Sequence, residues 1–131
     1  MIVGFTGTRQ IQTVSLERLE LLEHTLWELQ LNNVIAVIHG CAKGADTYFH
    51  KLCTKFNFNI SGYPAINSKN DLSDIKFLHL PQTPLKRNRN IVKDCDILIA
   101  LPIDKNVEEL RSGTWTTIRY ARKLNKQVII I

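Results

Sequence analysis

Three short segments combine glycine with hydroxyl-bearing or basic side chains, a composition suited to holding a phosphate group. The first is Gly-Phe-Thr-Gly-Thr-Arg, residues 4–9. Gly7 lets backbone N–H groups approach an anion without an intervening Cβ, and Thr6 and Thr8 add hydroxyl donors. Arg9 adds a charged fork that suits phosphate or carboxylate. The Gly-x-Gly-x-x-Gly spacing of dinucleotide sites is absent, so a tight turn with a solvated arginine is the alternative.

The second segment, residues 39–46, places two glycines around a short loop. Lys43 is a candidate phosphate ligand, and Gly40 and Gly44 permit close approach of the backbone. Asp46 suits two roles, because it can cap backbone amides or accept a hydrogen bond from a ribose hydroxyl. A purely structural turn is the alternative for this loop.

The third segment, residues 108–117, brings small and hydroxyl-bearing residues to the start of a helix expected near Thr116. Ser112, Gly113 and Thr114 would lie at its N-terminus, which attracts anions. Ordinary N-capping by Ser112 or Thr114 is the alternative.

A fourth segment is the basic run at residues 86–90. On a helix, Arg87 and Asn90 would share a face with Asp94, and Arg89 would point elsewhere. Arg87 and Asn90 are therefore candidate ligands, with a solvated charged face as the alternative.

Several other chemistries find no support in the spacing of the residues. His39, Cys41, His50 and Cys53 lack the paired spacing of a zinc site, so we predict neither a metal nor a cofactor. The Gly-x-Ser-x-Gly pattern of a nucleophile elbow does not occur, and no catalytic residue is assigned.

Short apolar runs alternate with helical stretches, which predicts a parallel sheet with helices packed on both faces. The predicted fold is α/β, a Rossmann-like, doubly wound, mostly parallel five-stranded sheet with one domain over residues 1–131. Residues 63–83 are expected to form a surface connection, with a short helix or strand near residues 76–80. The expected strands are residues 2–6, 34–38, 59–63, 96–101 and 128–131, and the expected helices begin after Ser15 and at Ala45, Pro84 and Thr116.

Composition indicates the cellular location of the chain and the kinds of partner that it is expected to bind. The net charge of +5 and the pI near 9.3 favour anionic partners. Three cysteines without framework spacing suggest a reduced, cytoplasmic location. No apolar run is long enough to span a bilayer and no signal peptide is recognised, so no membrane partner is expected.

Residues 4–9, 38–46, 87–90, 96–102 and 111–122 together resemble the SLOG superfamily, and more narrowly its small YspA/YpsA-related branch of bacteria and phages. The resemblance implies a Rossmann-like pocket for a nucleotide or nucleotide derivative, lined by the first two βα loops and the Ser-Gly-Thr loop. Similar proteins include DNA-processing protein A, the LONELY GUY phosphoribohydrolases, and sensor domains for signals derived from NAD or ADP-ribose. The resemblance to this superfamily also implies that the chain forms a homo-oligomer.

One departure from the phosphoribohydrolase motif favours a binding protein over an enzyme. The phosphoribohydrolases carry a catalytic glutamate three residues after a Gly-Thr pair, and here that position is Thr117. The chain is therefore expected to bind a nucleotide-derived, phosphate-bearing small molecule, such as an ADP-ribose or cyclic ADP-ribose type signal, as a sensor or sequestering protein. A nucleoside monophosphate N-glycosidase and a single-stranded DNA-binding protein are the alternatives.

Overall fold

A computed structural model describes residues 1–68 and 70–131. Its centre is a parallel sheet of six strands in the spatial order β4-β3-β2-β1-β5-β6. The strands are β1 Ile2–Gly7, β2 Ala36–His39, β3 Asn59–Gly62, β4 Phe77–Leu78, β5 Ile97–Leu101 and β6 Gln127–Ile130. The prediction of a mostly parallel α/β sheet is confirmed, and the predicted count of five strands is wrong.

The extra strand is β4, at one edge of the sheet. It is two residues long, and both Phe77 and Leu78 are exposed. Hydrogen bonds from Lys76 N to Ile60 O (2.8 Å) and from His79 N to Gly62 O (2.9 Å) attach it to β3. The sequence predicts a short helix or strand near residues 76–80, and the structure has a strand there. Two residues show neither a buried apolar run nor a clear alternation, so the sequence does not mark this segment as a strand of the sheet.

Four α-helices connect the strands: α1 Leu16–Leu31, α2 Ala45–Lys55, α3 Pro84–Asp94 and α4 Gly113–Lys123. Three of them begin at side-chain caps, because Ser15, Thr83 and Ser112 each accept a hydrogen bond from a first-turn amide. The cap at Ser112 places Gly113 and Thr114 inside the first turn of α4. The helix therefore begins earlier than the predicted Thr116. No helix in the described ranges has the length and apolar character required to cross a bilayer.

The helices cover both faces of the sheet. On one face, α1 and α2 bury residues such as Leu22, Leu26 and Phe49 against β1 and β5. The rings of Phe5 and Phe49 stack there with centroids 4.2 Å apart. On the other face, α3 and α4 pack Ile91 and Ile118 against the sheet.

The order of the strands fixes where a ligand is expected. From β1 the chain adds β2, β3 and β4 on one side, and then returns to place β5 and β6 on the other. The carboxyl ends of β1 and β5 therefore diverge at a switch point, which is where open α/β sheets bind ligands.

Candidate anion-binding site

A cavity of about 360 Å³ opens at the carboxyl ends of β1 and β5. Its volume lies within the usual range of small-molecule sites, roughly 300–1,000 Å³. Most of the site residues predicted from the sequence line this cavity. They are Thr6, Gly7, Thr8, Arg9, Gly40, Asp46, Arg87, Ser112, Gly113 and Thr114.

Three predicted site residues do not line it. Lys43 is exposed on the loop before α2. Gly44 has a φ of +83°, and a Cβ there would lie 2.4 Å from the carbonyl oxygen of Arg9, so this glycine serves the backbone turn. Asn90 lines a second hollow, which Arg87 also borders. The helical spacing correctly relates Asn90 to Arg87, but the face they share is divided between two hollows.

Two threonines and the start of α4 line the cavity. Thr6 and Thr114 are 8% and 6% exposed, and no described residue forms a hydrogen bond with either hydroxyl. The first backbone N–H groups of a helix have no partner within it, and Gly113 and Thr114 supply those of α4. These groups can all donate to one anion, and the positive end of the helix dipole adds to the attraction.

Arg87 is the charged group at the base of the cavity, and only 6% of it is exposed. Its Nη1 donates to the carbonyl oxygens of Gly40 (2.5 Å) and Tyr63 (3.3 Å), and its Nε donates to Asn88 Oδ1 (2.7 Å). Within residues 1–68 and 70–131, none accepts a hydrogen bond from Nη2. Burial lowers the pKa of the guanidinium and Asp46 opposes that effect, but an arginine stays charged at neutral pH.

Asp46 is the buried carboxyl group of the site. Its Oδ2 accepts from the amide of Ala42 (3.1 Å), in the loop before α2. Burial raises the pKa of Asp46 to about 6, although the Ala42 amide and the nearby Arg87 favour the charged form. At neutral pH this carboxylate balances part of the positive charge of Arg87.

The raised pKa of Asp46 predicts how stability depends on pH. The folded protein holds the Asp46 proton more tightly than the unfolded chain, whose pKa is near 3.8. Its contribution to stability is therefore greatest below about pH 4 and is lost as the pH rises to about 6. We expect wild type to lose on the order of 2 kcal/mol across this window relative to Asp46→Asn, which keeps an acceptor for Ala42. Urea unfolding at several pH values measures the difference, and parallel pH profiles for the two proteins would contradict it.

The sequence matches no family model and no curated protein. Solved structures do match it. A molybdenum cofactor binding protein from the phototrophic bacterium Rippkaea orientalis has a TM-score of 0.73 and 20% identity, covering 98% of this chain and 74% of that chain. The molybdenum cofactor carrier protein of Chlamydomonas reinhardtii has a TM-score of 0.71 and 16% identity, and the match covers 98% of this chain and 75% of that chain. DNA processing protein A from Streptococcus pneumoniae has a TM-score of 0.68 and 18% identity, and the match covers 98% of this chain and 49% of that chain.

The chain therefore shares the α/β fold of these solved structures, which is the kind of fold that the resemblance to the SLOG superfamily implies. The resemblance predicted from the glycine-bearing segments is thereby confirmed for the fold. Thr117 stands where the resemblance to the phosphoribohydrolases would place a glutamate. Its hydroxyl donates to the Gly113 carbonyl (2.8 Å) and the residue is only 2% exposed, so it serves the helix and does not line the cavity.

A loop that the sequence does not reveal as part of the site closes one side of the cavity. Arg18 donates to the carbonyls of Pro102 (2.6 Å) and Ile103 (2.7 Å), and Arg119 donates to the carbonyl of Leu110 (3.0 Å). These long-range bonds hold the segment between β5 and α4, and they bring Ile103 and Glu109 to the cavity wall. No local sequence signal marks either residue, because their placement depends on Arg18, more than 80 residues away, and on Arg119 in the following helix.

Two histidines that the sequence offers only as poor metal ligands instead form a hydrogen-bonded chain. The Cys41 amide donates to His39 Nδ1 (3.0 Å), so the proton of His39 lies on Nε2, 3.0 Å from His50 Nδ1. His50 Nε2 then donates to the Ser73 carbonyl (2.7 Å). Burial and the neighbouring His50 lower the pKa of His39 to about 3, which keeps it neutral. The His39–His50 chain thus ties the loop that carries Gly40 to the segment before β4.

Proposed function

We propose that this chain binds a nucleotide-derived small molecule through its phosphate, with an ADP-ribose or cyclic ADP-ribose type signal as the leading candidate, and acts as a sensor or sequestering protein. The observation that carries the proposal is the convergence of donors on one cavity. Thr6, Thr114, Arg87 and the first residues of α4 all line it, and each of them carries hydrogen-bond donors. Two solved SLOG-fold structures are described as molybdenum cofactor binding or carrier proteins, which supports a small-molecule role for this fold.

The charges of the site also favour an anion. Arg9 and Arg87 bring two guanidinium groups to the cavity, one exposed and one buried. The opposing carboxyl groups are Glu109 at the exposed side and Asp46, whose raised pKa reduces its charge near pH 6. The formal charges of these four groups cancel at neutral pH, and the balance becomes positive as Asp46 takes up its proton near pH 6. A phosphate would then form charge-assisted bonds with the guanidinium groups, and such bonds are the strongest hydrogen bonds in proteins.

Isothermal titration with AMP, ADP, ADP-ribose and cyclic ADP-ribose tests the proposal. We expect at least one of them to bind with a Kd well below about 1 mM. Thr114→Val removes one hydroxyl and keeps the shape of the side chain, so it should weaken binding by about tenfold or more. Thr54→Val is the matched control, because Thr54 bonds to the His50 carbonyl on α2, outside the cavity. Failure of all four ligands to bind at millimolar concentration would refute the proposal.

Glu109 supports a second candidate function, that of a nucleoside monophosphate N-glycosidase. Glu109 lines the cavity, where a carboxylate could assist cleavage of an N-glycosidic bond. Glu108 is less suited, because it pairs with Arg119 (3.2 Å) and Arg122 (3.9 Å). If the chain is a nucleoside monophosphate N-glycosidase, chromatography will detect free base, and Glu109→Gln will abolish its release. Binding without release of base would leave the sensor or sequestering role.

A further inference from the structure

A second hollow of about 360 Å³ lies beside the anion cavity, on the other side of Arg87. Arg87 lines both spaces, and its Nη1 bonds to Gly40 at the end of β2 and to Tyr63 just after β3. Neighbouring strands of a sheet lie about 4.8 Å apart. The two spaces therefore border the same side chain, at the ends of two neighbouring strands, so one small molecule that lies over Arg87 could enter both.

One wall of this second hollow is aromatic. His79 stacks on Tyr63 with ring centroids 4.0 Å apart and an interplanar angle of 28°, and Phe77 meets His79 edge-on at 4.7 Å. Tyr63 is buried and its hydroxyl donates to Asp94 Oδ2 (2.6 Å), so the stack is fixed from below. Phe77 is 59% exposed. An exposed ring on a fixed stack offers a surface on which a planar heterocycle can lie.

Two amide side chains line the same hollow. Asn90 and Gln82 are both half-buried, and no residue in the described part of the chain forms a hydrogen bond with either side chain. An amide presents a donor and an acceptor side by side, which matches the amino group and ring nitrogen of adenine. The hollow thus joins a stacking surface to hydrogen-bonding groups of the kind that recognise a base.

We infer that this second hollow is the base compartment of the same ligand, and that the ligand is an adenine nucleotide. The adenine stacks on the wall formed by Phe77 and His79, and the amides of Asn90 and Gln82 bond to its edge. Its ribose crosses over Arg87, and its phosphate occupies the anion cavity. This inference rests on the proposed phosphate site, because without that site the hollow has no anchor for the rest of the molecule.

AMP and ribose 5-phosphate form a matched pair of probes, because they differ by the base. Titrated into the full chain, AMP should bind about tenfold or more tightly than ribose 5-phosphate. Phe77→Ala should remove about tenfold of the AMP affinity and leave ribose 5-phosphate unchanged. Asn90→Ala should act in the same direction. Trp27→Ala is the aromatic control, because Trp27 is also exposed but lies on α1, away from both hollows.

The outcomes separate this inference from the phosphate site. Equal affinities for AMP and ribose 5-phosphate would overturn the base compartment and leave the phosphate site standing. An unchanged AMP affinity in both Phe77→Ala and Asn90→Ala would do the same. Failure of both probes to bind at millimolar concentration would overturn the base compartment together with the phosphate site.

Discussion

Gly44→Ala should be the most destabilising single-methyl change at a glycine of this chain, lowering the free energy of unfolding by about 3 kcal/mol or more. The backbone at Gly44 has a φ of +83° and a ψ of −122°, a conformation that is open to glycine and strained for alanine. The new Cβ would also lie 2.4 Å from the carbonyl oxygen of Arg9 and 2.7 Å from its Cα. These are backbone atoms, and the hydrogen bond from Ala45 N to Thr8 O (2.9 Å) holds their segment in place.

Gly113→Ala is the matched control for this prediction. A Cβ at Gly113 would meet nothing within 4 Å, and the residue lies in the first turn of a helix. Alanine should therefore be neutral there, or stabilising by up to about 1 kcal/mol. Urea or thermal unfolding of the two variants and wild type gives the comparison. Similar stabilities for Gly44→Ala and Gly113→Ala would show that the turn at Gly44 is not constrained as described.

Gly113→Glu should weaken binding of a phosphate-bearing ligand by on the order of 100-fold, without loss of stability. The open space at Gly113 accepts the longer side chain, and a carboxylate is favourable at a helix N-terminus. The same carboxylate would stand where the anion is proposed to bind. At about 4 Å, two unit charges repel by roughly 1 kcal/mol in water and 4 kcal/mol near a protein surface, which brackets the expected loss.

Gly113→Gln separates the effect of charge from that of size. Its side chain has the shape of glutamate but no charge, so it should weaken binding much less than Gly113→Glu does. Titration of each variant with ADP-ribose or AMP, and a thermal melt of each, provide the measurements. Equal losses of affinity in the two variants would mean that the new side chain only blocks the cavity, and would count against an anion at α4.

The sequence predicts the sheet and its loops well because local signals mark them. Near-continuous apolar runs identify buried strands such as β5, and the glycine and hydroxyl residues at the end of β1 and the start of α4 stand where a switch point places ligands. Long-range effects are harder to predict. Glu109 reaches the cavity because Arg18 and Arg119 hold its loop from two helices, and β4 exists because β3 provides a partner for it.

The roles of individual glycines also depend on contacts that spacing cannot reveal. Gly40 and Gly44 look equivalent in the sequence, since they flank one short loop. At Gly40 a Cβ would lie 2.5 Å from Arg87 Nη1, so this glycine makes room for the buried guanidinium in the cavity. Gly44 makes room for the Arg9 backbone on the other side of the turn.

The His39–His50 chain joins parts of the molecule that are far apart in sequence. It runs from the Cys41 amide to the Ser73 carbonyl, and Asn70 adds a bond to the Cys41 carbonyl (3.0 Å). The turn that carries Gly40 and the segment that leads into β4 should therefore open as one cooperative unit, with the Cys41 amide slow to exchange its hydrogen. Both compartments of the proposed ligand site would then form and dissolve together.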